Sequence, residues 1–356
     1  MAPDPRTASL RRRLLAWYDR HGRDMPWRRT REPYPVWLSE IMLQQTQVAT
    51  ARPYYERFLK RFPTLDALAD ARPAEVLSAW SGLGYYRRAR HLHEAVRRVR
   101  RDHGGRVPDD PEAFGALPGV GRYTTAAVLS ICFDRPLAVL DGNVARVLAR
   151  LEAIPVAIRD PRGAPRLWAA AQALIPMRRP GDWNQAMMEL GATVCTPRAP
   201  TCPRCPVRGL CNARRLGRVA DYPPVVARRA PETVRRAVAL IERRGRVLME
   251  RREGALLSGL WEPPGVELAN GTAPAHALRG TLARLGVRAR LADTGRAVRH
   301  TITHRVITAE VWEGAISGAM PRRAHLRWVD PRRPGVPLTA LARKLTLSPR
   351  PNERKR

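Results

Sequence analysis

Apolar residues recur at helical spacing from Leu10 to about Asn212. Leu10, Leu14, Trp17 and Tyr18 fall on one face, and so do Ile41, Gln44, Gln45 and Val48 with their neighbours. Pro53, Pro63, Pro73, Pro118 and Pro176 punctuate these segments and predict short helices of about ten to fifteen residues in an all-α domain. From Thr233 the texture changes to strand-like runs, VRRAVALIE, RVLMERR and HRVITAEVW, separated by Gly and Pro turns. The basic, Pro-bearing stretch between them is weakly patterned. The expected organisation is a helical domain over 1–212, a linker over 213–233, a strand-rich domain over 234–345 and a disordered tail over 346–356. At 356 residues the chain is long enough for two separate cores.

Charge adds a partner to this picture. Lys and Arg number 64 against 32 Asp and Glu, a formal net charge of +32, more than solubility requires and the balance expected of a protein that meets a polyanion. A membrane surface fits less well: no apolar run reaches spanning length, and the basic residues are spread along the chain instead of gathered on one amphipathic helix. Only three of them are lysines, Lys60, Lys344 and Lys355.

Four of the five cysteines lie within seventeen residues, Cys195, Cys202, Cys205 and Cys211, spaced C-x6-C-x2-C-x5-C. Thiolates gathered so closely can hold a metal centre. Disulfides are disfavoured, since no secretory leader pattern begins the chain. Zinc is the stronger rival. Four-cysteine zinc sites usually pair two short C-x2-4-C knuckles, whereas here only Cys202 and Cys205 form one, and the wide first gap favours a cubane iron–sulfur cluster. Cys132, in the apolar run VLSICF, reads as a small buried hydrophobe.

Three further segments carry chemistry. In LPGVGRYTTAAVL, Gly119 and Gly121 permit a tight turn that exposes N–H groups at the start of a helix near Tyr123, a geometry suited to a phosphate. In FDRPLAVLDGNVARVLARL, Asp141 stands after an apolar run and ahead of a helix, where an isolated Asp would be an N-cap. In PYPVWLSEIMLQQTQV, Glu40 sits among apolar residues on a helix, so partial desolvation is expected to raise its pKa and let it act as an acid near neutrality.

Taken together, EIMLQQTQV, GLGYYRRARHL, LPGVGRYT, LDGNVARVL, NQAMMELGATVC and the cysteines resemble the MutY-type adenine DNA glycosylases, helix–hairpin–helix enzymes with an iron–sulfur cluster. The resemblance spans roughly residues 15 to 212. It implies a six-helix module joined to an iron–sulfur module, with a 4Fe–4S cluster on Cys195, Cys202, Cys205 and Cys211. It implies that Glu40 protonates adenine, that Asp141 stabilises the cationic sugar, and that Tyr123 and Asn143 support both. Trp27, Arg28 and Gln185 would line the adenine pocket, Gln45 and Tyr85 would wedge the opened duplex, and the hairpin around Gly119 and Gly121 would grip its backbone. The implied partner is double-stranded DNA with A opposite 8-oxoguanine or G. The implied setting is a monomer in the cytoplasm of a bacterium, bound to its nucleoid.

Endonuclease III-type relatives attack the sugar with a lysine, which would stand where this chain has Tyr123. The expected product is therefore an abasic site without strand cleavage. Residues 234–345 resemble the α+β Nudix-like C-terminal domain of these glycosylases, with GLWEPPG at 259–265. Counted from Gly265, the Nudix box requires Glu at 271, 280, 283 and 284, where this chain has Gly271, Gly280, Ala283 and Arg284, while Arg279, Gly286 and Val287 fit. The carboxylates that would hold magnesium are absent, so pyrophosphatase activity is not expected. The triplet that reads the oxidised guanine in the family corresponds here to Ile302, Thr303 and His304, which lacks the aromatic member.

Overall fold

The computed structural model describes residues 4–158, 160–225, 230–253, 257–302, 304–318, 320–321 and 323–347. The chain divides into two compact units, Met1–Asp70 with His91–Ala227, and Ala71–Arg90 with Arg228–Arg356. Calls on 348–356, on Thr303 and on part of the linker fall outside the described residues.

The first unit is helical: α1 (Pro5–His21), α2 (Pro33–Leu43), α3 (Val48–Arg61) and α4 (Leu65–Asp70) precede α5 (Pro73–Ala79), which belongs to the second unit. α6 (Arg87–Asp102) follows, then α7 (Pro111–Gly115), α8 (Arg122–Phe133), α9 (Gly142–Leu151), α10 (Ala164–Leu174), α11 (Pro180–Thr193) and α12 (Asn212–Arg215). One face of α1, with Leu10, Leu14 and Trp17, packs on Val144, Leu148 and Leu151 of α9 and on Trp183, Met187 and Leu190 of α11. These positions recur every three or four residues, so a single stripe per helix closes the core.

Two details depart from the pattern-based expectation. Ile41, Gln44, Gln45 and Val48 do not share a helix face, because α2 ends at Leu43 and α3 starts at Val48. Between them Gln45 takes a left-handed conformation, φ 56°, and the Thr46 N–H turns back to the Leu43 carbonyl. Pro53 also fails to stop a helix and lies inside α3. It forfeits one backbone hydrogen bond, which the burial of Tyr55 and Phe58 on the same helix offsets. Cys132 is half-buried.

The second unit is built on seven strands among the described residues: β1 (Glu232–Arg243), β2 (Arg246–Arg251), β3 (Trp261–Glu262), β4 (Gly265–Glu267), β5 (Ala289–Ile302), β6 (Arg305–Ile316) and β7 (Leu326–Val329). The order is β3-β2-β1-β6-β5, with β4 on β1 and β7 on β2. β1 and β6 run parallel, Ala237 opposite Glu310, and β5 and β6 form a long antiparallel hairpin. Successive side chains of a strand face opposite ways. Ala237, Ala239 and Ile241 of β1 meet Leu278 and Leu282 of α13 (Pro274–Arg284), while Val238, between them, packs with Leu341 and Leu345 of α14 (Ala340–Leu347). The sheet is thus covered on both faces, as the α+β reading anticipated. Gly280, Ala283 and Arg284 lie on α13, exposed.

A buried ionic knot anchors the strand-rich unit. Glu262 is 4 % exposed and accepts from Arg236, from Arg252 at 2.5 Å and from the Thr339 hydroxyl at 3.3 Å. The two guanidiniums match the carboxylate's charge where it stands, and the arrangement serves architecture.

Candidate active site

α2 is apolar around most of its surface: Val36, Trp37, Leu38, Ile41 and Met42 are all buried, and the helix packs against α8. Its single carboxylate, Glu40, is carried inside with them and is 7 % exposed. The Tyr123 hydroxyl, from the first turn of α8, donates to Glu40 Oε2 at 2.9 Å and also lies 3.3 Å from Met188 Sδ. Burial pushes the Glu40 carboxyl up to about 7, with the neighbouring charge of Asp141 adding to the rise and the Tyr123 hydrogen bond and Arg28 opposing it. The same burial, together with Glu40 and Asp141, raises the Tyr123 phenol well above its usual value.

Asp141 caps α9. Its Oδ1 accepts from the Val144 N–H at 2.7 Å and its Oδ2 from Asn143 Nδ2 at 3.0 Å. The cap reading is met, and the same side chain also stands in the wall of a cavity. Burial raises its pKa, and the Val144 and Asn143 hydrogen bonds counter part of that rise. Asn143 is held in turn by Arg146, whose Nη2 donates to Asn143 Oδ1 at 2.9 Å and to the Gly191 carbonyl at 2.7 Å. α11 comes so close here that a Cβ on Gly191 would stand 2.6 Å from Asn143 Cβ.

These groups converge on a cavity of about 550 Å³, whose walls include Trp27, Arg28, Glu40, Gln45, Tyr123, Asp141, Asn143 and Gln185. Eight residues singled out by sequence are thereby brought to one place. Lysine does not occur among the lining residues. Gln45 reaches the rim from its exposed left-handed turn. Gln185 accepts from the Tyr18 hydroxyl at 3.2 Å.

One wall was not foreseen. Glu189, 1 % exposed, also lines the cavity, paired with Arg23 at 2.5 Å and Arg28 at 2.9 Å. Its burial works to raise the pKa, but the two guanidiniums outweigh this and hold it below the usual range. The signal was present: Glu189 follows Gln185 by four residues on α11 and so shares its face.

The hairpin residues lie apart from this cavity. Gly121 caps α8 and borders a separate groove of about 300 Å³ with Arg122 and Thr125. Gly119 is left-handed, φ 75°, and a Cβ there would stand 2.7 Å from His91 Cβ, so the turn requires glycine twice over. In the strand-rich unit, Ile302 ends β5 half-buried, and His304 is exposed with its ring 3.6 Å from the Glu232 carboxylate. Tyr85 belongs to that unit too.

The four clustered cysteines are half-buried, and Cys195, Cys205 and Cys211 pack against the helical core. Burial pushes the Cys205 thiol up to about 11, and Cys195, Cys211 and Cys202 each add to that rise through their own charge, so the four sit within electrostatic reach of one another. Arg146 and Arg150, both buried on α9, donate to the Cys195 carbonyl at 2.8 Å and to Cys195 Sγ at 3.4 Å. Among the described residues no group of three or more His, Cys, Asp or Glu is closed around a metal position.

Comparison with known proteins accords with this geometry. The family of HhH-GPD superfamily base excision DNA repair proteins matches residues 38–162, and the NUDIX domain family matches 237–347. The adenine DNA glycosylase of Rattus norvegicus is 39 % identical over 381 residues, covering 90 % of this chain and 74 % of that protein. The chain belongs to the adenine DNA glycosylase family. The Homo sapiens member of the family is 38 % identical, covering 88 % of this chain and 68 % of its own. Among solved structures, a thermostable thymine-DNA glycosylase is 30 % identical with a TM-score of 0.54, covering 59 % of this chain and 97 % of its own. A trapped endonuclease III–DNA covalent intermediate, 21 % identical with a TM-score of 0.51 over 61 % of this chain and 100 % of its own, shares the fold. As a member of this family the chain is a DNA N-glycosylase of base excision repair. No helix among the described residues is long and apolar enough to cross a membrane.

Proposed function

We propose that the chain excises adenine from duplex DNA where it faces 8-oxoguanine or guanine, leaving an abasic site. The observation that carries the proposal is the pairing of Glu40, half-protonated near neutrality, with Asp141 in one cavity. The scissile bond lies inside the duplex, so the adenosine is first flipped into the cavity, where Trp27, Arg28 and Gln185 enclose the base. Glu40 donates its proton to a ring nitrogen of adenine, which leaves with the bonding electron pair. Asp141, acceptor-only when ionised, faces the oxocarbenium-like sugar that results. Water then bonds to the anomeric carbon and yields its proton to the ionised Glu40, which restores the acid. Tyr123 orients the Glu40 carboxyl and Asn143 orients Asp141. With no lysine in the cavity wall, the sugar is not captured as an imine, so the enzyme is read as monofunctional.

The four cysteines are the donors that would hold a 4Fe–4S cluster. The Cys205 and Cys211 thiols, raised by burial, become thiolates readily only beside bound cationic metal. When bound, the cluster supplies a cross-link that folds the basic loop around 198–208, and no substrate position is asked of it. Visible absorption with stoichiometric iron and sulfide would support this; a colourless protein with bound zinc would overturn it.

One assay tests the reaction. Duplex bearing A opposite 8-oxoguanine is incubated with the protein and then treated with alkali, and cleavage at A is expected only after alkali. A borohydride-trapped protein–DNA adduct as a major product would refute monofunctionality, and cleavage at oxidised pyrimidines would refute adenine as the substrate.

A further inference from the structure

At the end of its sheet remote from His304, the strand-rich unit holds a recess of about 680 Å³ whose walls include Arg244, Arg246, Arg296 and Arg332. Leu345 of α14 also lines it, so it lies on the sheet face opposite α13, which carries Gly280, Ala283 and Arg284. The length of β1 separates it from the other end. Glu232 pairs with Arg305, next to His304, and Arg243 closes that 12-residue strand, so the two ends stand roughly 36 Å apart at about 3.3 Å per residue.

Two of the four arginines are held there by special backbone. β1 and β2 are joined through Arg244 and Gly245, with Arg243 opposite Arg246, and the two turn residues take φ 51° and 70°. A turn of this hand favours Asn or Asp at its first position, so a long cation stands there against the preference of the backbone. β5 carries a bulge between Asp293 and Arg296. The Gly295 N–H donates to Asp293 Oδ1 at 2.9 Å and the Thr294 hydroxyl to the Val311 carbonyl at 2.6 Å, and a bulge redirects the side chains beside it. Arg296 then donates to the Lys344 carbonyl at 3.3 Å. Among the described residues Arg244, Arg246 and Arg332 form no ion pair, whereas Arg235, Arg236, Arg252 and Arg305 of the same unit each have a carboxylate partner. Two acids share the wall, Glu242 and Asp330, and Asp330 Oδ1 accepts from the Arg332 N–H at 2.8 Å.

We propose that this recess binds a nucleoside polyphosphate. Guanidiniums recognise phosphate oxygens through paired N–H donors, and four of them outnumber the two acids. A bare polyphosphate would meet Glu242 and Asp330 as like charge, but the ribose hydroxyls and base amino groups of a nucleotide are donors that carboxylates accept. Leu347, 46 % exposed in the same wall, offers apolar surface to the base. The volume falls within the range of about 300–1,000 Å³ usual for small-molecule pockets. The site is separate from the excision cavity, and the mispair reading plays no part in the inference.

The test is isothermal titration calorimetry of the full-length protein with cytidine diphosphate, a nucleotide whose base is not the adenine for which the excision cavity is proposed. A Kd below about 1 mM is expected, and weaker binding of inorganic pyrophosphate. Arg244→Asn suits the turn better than arginine does, so the fold is kept, yet affinity should fall about 10-fold or more, the worth of a hydrogen bond to a charged group. Arg332→Gln should do the same. Arg299→Gln, at an exposed position of β5 outside the recess, should change affinity by less than about twofold, as a screened distant charge. The proposal is overturned if cytidine diphosphate binds no tighter than about 1 mM, or if pyrophosphate binds as tightly. It is equally overturned if Arg244→Asn and Arg332→Gln both keep affinity within about twofold, below the cost of a lost bond, or if Arg299→Gln loses as much as they do. Displacement of the nucleotide by saturating matched duplex would assign the arginines to a nucleic-acid backbone and overturn it too.

Discussion

Glu40 and Glu262 are both buried glutamates, one in each unit, and their partners assign them opposite work. Glu40 has a phenol and the charge of another carboxylate for company, so burial is left largely uncompensated and its proton is held until about neutrality. Glu262 has two guanidiniums and a hydroxyl, so its charge is matched where it stands. The lesson is that burial makes a carboxylate costly, and the neighbours decide whether that cost becomes reactivity or structure. Glu189 shows the same rule inside the cavity: Arg23 and Arg28 hold it ionised a short way along the wall from Glu40.

Four measurements would break or sharpen that comparison. The largest effect is expected from Asp141→Asn, which keeps the helix cap but removes the charge proposed to face the sugar: single-turnover excision should fall on the order of 10³-fold or more, with melting temperature nearly unchanged. Glu40→Gln should slow excision by about 10²- to 10³-fold while DNA binding persists; a variant with wild-type rate would end the acid assignment. Glu262→Ala should act on the other axis, costing the strand-rich unit about 3–5 kcal/mol by leaving Arg236 and Arg252 unmatched, as read by urea unfolding. The smallest effect belongs to Tyr123→Phe, where loss of one hydrogen bond to Glu40 predicts about a tenfold slower excision or less.

The pH dependence follows from the same contrast. Because the folded pKa of Glu40 is raised from 4.5 to about 7, the native state holds a proton that the unfolded chain has released. Stability attributable to this group is therefore greatest below pH 4.5, declines as pH rises to about 7, and is flat beyond. Excision should decline as pH rises through about 7, as the acid form is lost, and Glu40→Gln should abolish that limb of the single-turnover profile.

Much of the site was legible because chemistry had fixed its spacing: four cysteines in one loop, Asp141 before its helix, Glu40 within an apolar run. What escaped depended on backbone and on partners. Nothing in LQQTQ announces a left-handed residue, yet the turn at Gln45 is what brings it to the cavity rim. Pro53 has the signature of a helix stop, although tertiary burial of its helix outweighs one missing bond. Glu189 draws its character from Arg23 and Arg28, more than 160 residues away in sequence. The strand-rich unit was legible as α+β from its alternation, but the membership of 71–90 in it rests on contacts to Leu338 and Arg343, more than 250 residues away, a separation no local pattern encodes.

Gly191 touches no reacting atom, and its contribution is the methyl it lacks. Because α11 lies directly against Asn143 at this point, any larger residue must push apart the two helices that carry Asp141 and Glu189. A Gly191→Ser or Gly191→Asp change is then expected to lower excision by displacing Asn143, although every residue of the chemistry is intact. Variant interpretation in this chain should weigh position 191 alongside Asp141 itself.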